Sequence, residues 1–151
     1  MSWESDSDPT QYFLFFEILN EFVFSSKMGT FAHFQYRRMS EYLLIEKKIR
    51  DMIVYNNIML KQFPKHEKYL LAGKIREMGY DLLELAVAAN KKYIKKTTFT
   101  ELDVKHEVLR QMINLAFELQ YIDAKKHRVS QLKVDEVGKM LGAWIRSEEK
   151  G

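Results

Sequence analysis

The chain has 151 residues, a length typical of one domain, and its 46% hydrophobic and 30% charged residues are enough for a core and a solvated surface. Six glycines and two prolines are few for an all-β protein, so long helices are expected. The absence of cysteine excludes disulfides and thiolate metal sites and fits a reducing cytoplasm, and the net charge is +3.

The first 38 residues differ from the rest because they are acidic and rich in aromatic side chains. Their most apolar run, "FLFFEILNEFVF", is interrupted by Glu17, Asn20 and Glu21 and is shorter than the ~20 apolar residues that cross a membrane. The acidic opening "MSWESDSD" is unlike the basic start of a signal peptide. We predict an N-terminal extension, residues 1–38, to which no structure is assigned, and a principal domain, residues 39–151.

The first helix of this domain is predicted from Glu41 to Gln62, after Ser40 as its N-cap. Apolar residues recur there every three or four positions, as in an amphipathic helix. Pro64 then ends this helix and suits the first turn of the next, and Phe63 and Tyr69 are expected to pin this corner by packing. The second helix, predicted from Lys65 to Tyr93, contains Gly79, a helix-interior glycine that indicates close packing.

The third helix is predicted to begin after Thr100 as N-cap, and the fourth to run from Asp123 as N-cap to about Ser147. Gly138 and Gly142 lie one turn apart in the fourth helix and allow another helix to approach. Because the connections are short, we predict an all-α, antiparallel up-down four-helix bundle. Two neighbouring apolar stripes on the third helix predict burial against both the bundle and a second subunit: Leu102, Leu109, Ile113 and Ala116, and Val108, Met112, Leu115 and Leu119.

Catalytic and metal-binding motifs are poorly represented. Asp103-x-x-His106 is one weak relative of the motif found in bundle di-iron sites, without a second copy, and His106 is expected on the polar surface of its helix. Gly73-Lys74 lacks the preceding glycines of a phosphate-binding loop, and no Ser–His–Asp arrangement is recognisable. We therefore expect a protein that is not an enzyme, with no cofactor and no metal site.

The positive charge lies in the predicted principal domain. Residues 1–38 have a net charge of −2, and residues 39–151 have a net charge of +5. Such a domain favours an anionic partner. The candidate nucleic-acid-binding residues flank the Pro64 corner, lie on the second helix, and crowd the loop before the third helix: Lys61, Lys65 and Lys68; Lys74 and Arg76; and Lys91, Lys92, Lys95 and Lys96. Lysines around Tyr93 suit a phosphate backbone and a stacked base, although helix ends also collect lysines for solubility.

Arg110 is a separate candidate in the middle of the third helix, which is otherwise wide in apolar surface. An arginine there must point into a groove, a central channel or an ion pair, because a buried and unpaired guanidinium is costly. The functional and structural interpretations of Arg110 are evenly balanced.

Three segments carry a family resemblance: "FPKHEKYLLAGKIR", "LLELAVAAN" and "VGKMLGAWI". Across about residues 39–147 the chain resembles a four-helix-bundle family. That family includes the accessory variability determinant (Avd) proteins of diversity-generating retroelements and proteins encoded in ribosomal-RNA intervening sequences. The resemblance implies a homopentameric ring with a basic surface. It also implies that Arg110 matches a basic position, whereas Asn114 stands where relatives can carry a second basic residue.

For the Avd branch, the resemblance implies a reverse transcriptase as partner, which together with template RNA produces mutagenised cDNA. We therefore expect a cytoplasmic, non-enzymatic accessory protein that binds the reverse transcriptase and its RNA or DNA. The alternatives are a protein of the ribosomal-RNA intervening-sequence type and a structural oligomer without nucleic-acid function.

Overall fold

A computed structural model describes residues 30–150, and this part of the chain is all-helical, with four long helices and no strand. The chain divides into two compact units, Met1–Ser40 and Glu41–Gly151, and the core lies in the second. The prediction for residues 1–38 falls mostly on residues 1–29, which lie outside the described residues. The helices are α1 (Thr30–Leu60), α2 (Leu71–Lys91), α3 (Lys96–Glu118) and α4 (Ala124–Glu149), and a 3₁₀ turn (Lys65–Glu67) precedes α2.

Two of the predicted N-caps are wrong, because α1 and α3 begin earlier than the residues proposed to cap them. Ser40 lies inside α1, and Thr100 lies inside α3, where its hydroxyl donates to the Lys96 carbonyl at 3.1 Å. Neither residue directly follows a glycine or proline that would interrupt a helix. In addition, a threonine hydroxyl inside a helix can donate to the backbone carbonyl one turn earlier instead of capping the helix. The cap at Asp123 is confirmed, since its carboxylate accepts from the Lys126 backbone N–H at 2.9 Å.

The corner at Pro64 is longer than the direct helix-to-helix turn that we predicted. α1 ends at Leu60, and Pro64 has an extended backbone, with φ −52° and ψ 147°. The second helix begins at Leu71 rather than at Lys65. The Glu67 carboxylate supports this start by accepting the Leu71 backbone N–H at 3.2 Å, which satisfies one of the free donors at the helix end.

Aromatic packing holds the corner, but only one of the two predicted residues takes part. Phe63 is buried, and its ring centroid lies 5.5 Å from that of Tyr121, in the turn between α3 and α4. The Tyr121 hydroxyl donates to Glu67 at 3.2 Å, so the same carboxylate joins two corners of the bundle. Tyr69, which was expected to pack with Phe63, is 82% exposed.

The core is a continuous cluster to which all four helices contribute. The stripe Leu102, Leu109, Ile113 and Ala116 of α3 is fully buried, as predicted. In the neighbouring stripe Val108 and Met112 pack partly against the core, whereas Leu115 and Leu119 are exposed. Close packing at Gly79 is confirmed, because a Cβ there would lie 3.2 Å from Ile53 of α1.

Polar contacts join neighbouring helices at several heights along the bundle. Between α1 and α4 they are Tyr42–Glu148 at 2.8 Å, Asn56–Ser130 at 2.7 Å, and Gln62–Lys126. Between α2 and α3 they are Asp81–Lys105 at 2.5 Å and Lys92–Thr98 at 3.1 Å. In the α1–α4 pairs and in Lys92–Thr98, a residue in the first half of one helix meets a residue in the second half of the other or just after its end. Asp81 and Lys105 both lie in the middle of their helices.

His106 was expected on the polar surface of α3, and this prediction is wrong. The side chain is buried, with 4% exposure, and its Nε2 lies 2.7 Å from the Val134 carbonyl oxygen of α4. The physical reason is position, since residue 106 follows Leu102 by four residues and precedes Leu109 by three, on the buried face. The missing side chain of Gly138 leaves space for the imidazole, because a Cβ there would lie 2.6 Å from the His106 ring.

Candidate nucleic-acid interface

The lysines at the Pro64 corner are free to meet an anion. Lys65 and Lys68 are both exposed, and neither forms an ion pair with any described residue. The Lys68 ammonium lies 5.4 Å from the centre of the Tyr69 ring, so it partly covers one face of that ring. Lys61 is also exposed on the approach to the corner.

The two candidates on α2 are engaged within the chain. The Lys74 ammonium lies 2.9 Å from the Glu77 carboxylate, in an exposed pair. The Arg76 side chain is half-buried, and its Nε donates to the Asn57 amide oxygen of α1 at 2.8 Å. Arg76 therefore helps to hold α1 against α2, and an anionic partner would have to compete for it.

The α2–α3 loop and the two helix ends that it joins carry four lysines with two different roles. Lys91 and Lys96 are exposed and form no ion pair within residues 30–150. Lys92 donates to the Thr98 hydroxyl at 3.1 Å. Lys95 is held most tightly, since its side chain is only 14% exposed and lies 3.0 Å from the Glu148 carboxylate. Half of this cluster is thus structural.

Tyr93 stands at the tip of the same loop with 100% exposure, and Ile94 beside it is 79% exposed. A cleft of about 580 Å³ lies next to them, lined by Phe99, Val104 and Ile145 together with charged side chains. An aromatic ring presented to solvent between free lysines is the arrangement that single-stranded nucleic acids use for stacking.

A groove, a central channel or an ion pair was expected for Arg110, and the structure shows ion pairs. Its Nη1 lies 2.8 Å from the Asp135 carboxylate of α4, and its Nε lies 3.3 Å from the Glu107 carboxylate. Gln131 of α4 donates to the Arg110 carbonyl at 3.3 Å and to the Asn114 amide oxygen at 2.7 Å. Two carboxylates offset the charge of Arg110, which supports its structural interpretation.

The structure does not bring the predicted residues together into one site. The corner precedes α2 and the loop follows it, and a helix of 21 residues separates the two by about 30 Å. Within one chain, a short ligand can therefore contact the corner lysines or the loop lysines, but not both.

A further basic stripe runs along α4, and the sequence analysis missed it. Its cations are exposed and form no ion pair among the described residues: Lys125, Arg128, Lys139 and Arg146. Intervals of 3, 11 and 7 residues are each close to whole helical turns, so these side chains share one face. The carboxylate of Glu136 near this face pairs with Lys48 at 2.6 Å. The helical interval is the sequence signal for this stripe, because its cations are not clustered locally along the chain.

The described residues give no sign of other site chemistry. Residues 30–150 contain no group of three or more His, Asp or Glu side chains placed to hold a metal ion. None of the described helices is long and apolar enough to cross a bilayer.

Comparison with known families agrees with the predicted resemblance. A family model described as bAvd-like matches residues 43–148, which include all of α2 and α3 and most of α4. No curated protein matches the chain. The match contains the three segments that suggested the family from sequence, and it covers well over half of the chain. The protein is therefore a member of the bAvd-like family.

Proposed function

We propose that this protein is a non-enzymatic accessory protein of a diversity-generating retroelement, acting in the cytoplasm with the retroelement's reverse transcriptase. The observation that carries the proposal is the family match over residues 43–148. The protein would bind the polymerase and its template RNA or cDNA, and so support mutagenic reverse transcription.

The basic surface supports the nucleic-acid part of this proposal. Free cations are available at the corner, in the α2–α3 loop and along α4, where ion pairs do not neutralise them. Phosphate groups bound by such side chains release counterions, so affinity should fall steeply with salt. Among the original candidates Lys91 and Lys96 are the best placed in the loop, whereas Lys92 and Lys95 have structural partners.

We also propose an antiparallel up-down bundle that assembles as a homopentameric ring. Contacts between the first half of one helix and the end of its neighbour support the antiparallel order. Exposed Val104, Leu115 and Leu119 on α3 support a subunit contact, because apolar side chains gain from burial between chains. Five copies of a domain with a balance of +5 would concentrate positive charge around the ring.

The nucleic-acid proposal is tested by titrating labelled RNA with the full chain at increasing salt. The double variant Lys91→Gln/Lys96→Gln should reduce the log–log salt slope by about 1.4 for two lost contacts with a single strand. Lys92→Gln/Lys95→Gln is a control of equal charge change, and it should alter the slope less while lowering the melting temperature. Absence of RNA binding by the wild type at low salt would refute this part of the proposal.

The polymerase partner is tested by co-purification with the reverse transcriptase that the proposal requires to be encoded beside this gene. Recovery of both proteins after nuclease treatment would support direct association, and recovery of this protein alone would contradict it. Gene position separates the alternatives. A template–variable repeat pair with a reverse-transcriptase gene supports the Avd role, whereas a gene inside a ribosomal-RNA locus supports the intervening-sequence type. Stable oligomers that bind neither RNA nor polymerase would favour a structural role.

A further inference from the structure

The α2–α3 loop presents Tyr93 in a way that goes beyond a cluster of positive charge. Its side chain is fully exposed, and none of its ring faces contacts another described aromatic ring or cation. By contrast, Tyr42 and Phe99 nearby pack against Trp144, with ring centroids 4.9 Å apart in each case. The loop therefore places one tyrosine outside the aromatic cluster that closes this end of the bundle.

The loop is anchored on both sides of Tyr93. On one side, Lys92 donates to the Thr98 hydroxyl at 3.1 Å. On the other, Lys95 pairs with Glu148 at 3.0 Å, and its ammonium lies 5.3 Å from the Tyr42 ring centre. A side chain between two fixed points loses less entropy on binding than one in a free loop.

Two free cations, at the helix ends that flank the loop, lie close to the tyrosine in sequence. Lys91 precedes it by two residues and Lys96 follows it by three, and both are exposed. Phosphates of a strand could pair with these ammonium groups while a base stacks on the ring. Every base has a π-face, so stacking needs no particular sequence, but it does need a base that is not already stacked within a duplex.

From this arrangement we infer that the α2–α3 loop selects single-stranded over duplex RNA, with Tyr93 as the stacking residue that determines the preference. The inference rests on the proposed function and specifies the form of nucleic acid that this loop accepts. Lys91 and Lys96 supply affinity for either form, because phosphates are present in both. Tyr93 contributes only where a base is available to stack.

The test measures binding of an unstructured oligouridylate and of an RNA duplex with the same number of phosphates, at one salt concentration. Tyr93→Ala should weaken oligouridylate binding by about 5- to 150-fold, the loss expected for one stacked base, and should leave duplex binding unchanged. Tyr93→Phe retains the ring and should bind like the wild type. The salt slope should stay the same in both variants, because no charge is altered.

Tyr69→Ala is a matched control, because Tyr69 is also highly exposed and adjoins a lysine that covers part of its ring. It should leave oligouridylate affinity unchanged. An equal loss in Tyr69→Ala and Tyr93→Ala, or an equal loss for single strand and duplex, would overturn the assignment to Tyr93.

Two further outcomes would also overturn it. Unchanged RNA binding with weaker capture of the reverse transcriptase would show a protein contact, and a changed sedimentation coefficient would show a subunit contact. These results differ from failure of the proposed function, in which the wild type binds neither RNA probe.

Discussion

Gly138 is the position at which a single added methyl group should affect the bundle most clearly. In Gly138→Ala the new Cβ would lie 2.6 Å from Cε1 and 3.0 Å from Nε2 of His106. The imidazole is buried and is bonded to the Val134 carbonyl at 2.7 Å, so it cannot move aside without losing that bond.

The size of the effect follows from two opposing contributions. Alanine in place of a helix-interior glycine gains up to about 1 kcal/mol from helix propensity. Overpacking costs about 1–3 kcal/mol, and a lost hydrogen bond of a buried group costs about 1–3 kcal/mol more. We therefore expect Gly138→Ala to lower the free energy of unfolding by about 1–5 kcal/mol, after the gain in propensity is deducted.

Gly142→Ala, one turn further along α4, is the matched control. Its Cβ would approach only the Arg146 guanidinium, at 3.2 Å, and that exposed side chain can swing away. This variant should therefore be stabilised by about 0.5–1 kcal/mol. Urea unfolding of both variants at one protein concentration measures the difference, provided that the m-value is unchanged.

A double-mutant cycle identifies the clash with His106 as the cause. In a His106→Ala background, the ring is absent and Gly138→Ala should be neutral or stabilising. If Gly138→Ala is as stable as Gly142→Ala, or if its cost persists without the His106 ring, the reasoning from close packing is refuted.

Three other changes probe the cap, the central ion pair and the exposed stripe of α3. Hydrogen bonding from Lys126 lowers the pKa of Asp123, so its contribution is present above about pH 4 and is lost as the pH falls through the lowered value. Asp123→Ala should melt at a lower temperature and lack this acid-dependent step; identical melting curves would contradict the cap. Asp135→Asn removes the closer of the two carboxylates that pair with Arg110 and should raise RNA affinity if Arg110 meets phosphate; unchanged affinity with lower stability would make the pair structural. Leu115→Glu should dissociate the proposed oligomer in sedimentation, and an unchanged oligomer would exclude that stripe as the contact.

Hydrophobic spacing predicted the four helices and the buried stripe of α3, because core burial depends on a periodicity that the sequence displays directly. Helix starts were predicted less well. Ser40 and Thr100 resemble caps by residue type, but a cap forms only where the preceding residues leave the helix. The Asp123 cap was predictable because the chain does turn there, between α3 and α4.

The errors at single residues have a common physical origin. His106 was placed on the surface because of its polarity, although its position in the stripe and the gap above Gly138 determine its burial. Tyr69 was expected to pack at the corner with Phe63, although Tyr121, distant in sequence, occupies that place. The partners of Lys95 and Arg110 come from α4, and spacing within one helix does not reveal contacts between helices.

The length of α2 sets a minimum size for any nucleic acid that engages the whole basic surface of one chain. The Pro64 corner and the α2–α3 loop are about 30 Å apart, which corresponds to roughly nine base steps of a duplex at 3.4 Å each. Shorter oligonucleotides would occupy one end at a time, and their affinity would vary little with length. Once a strand reaches both ends, the second contact becomes intramolecular, so affinity should rise abruptly at that length.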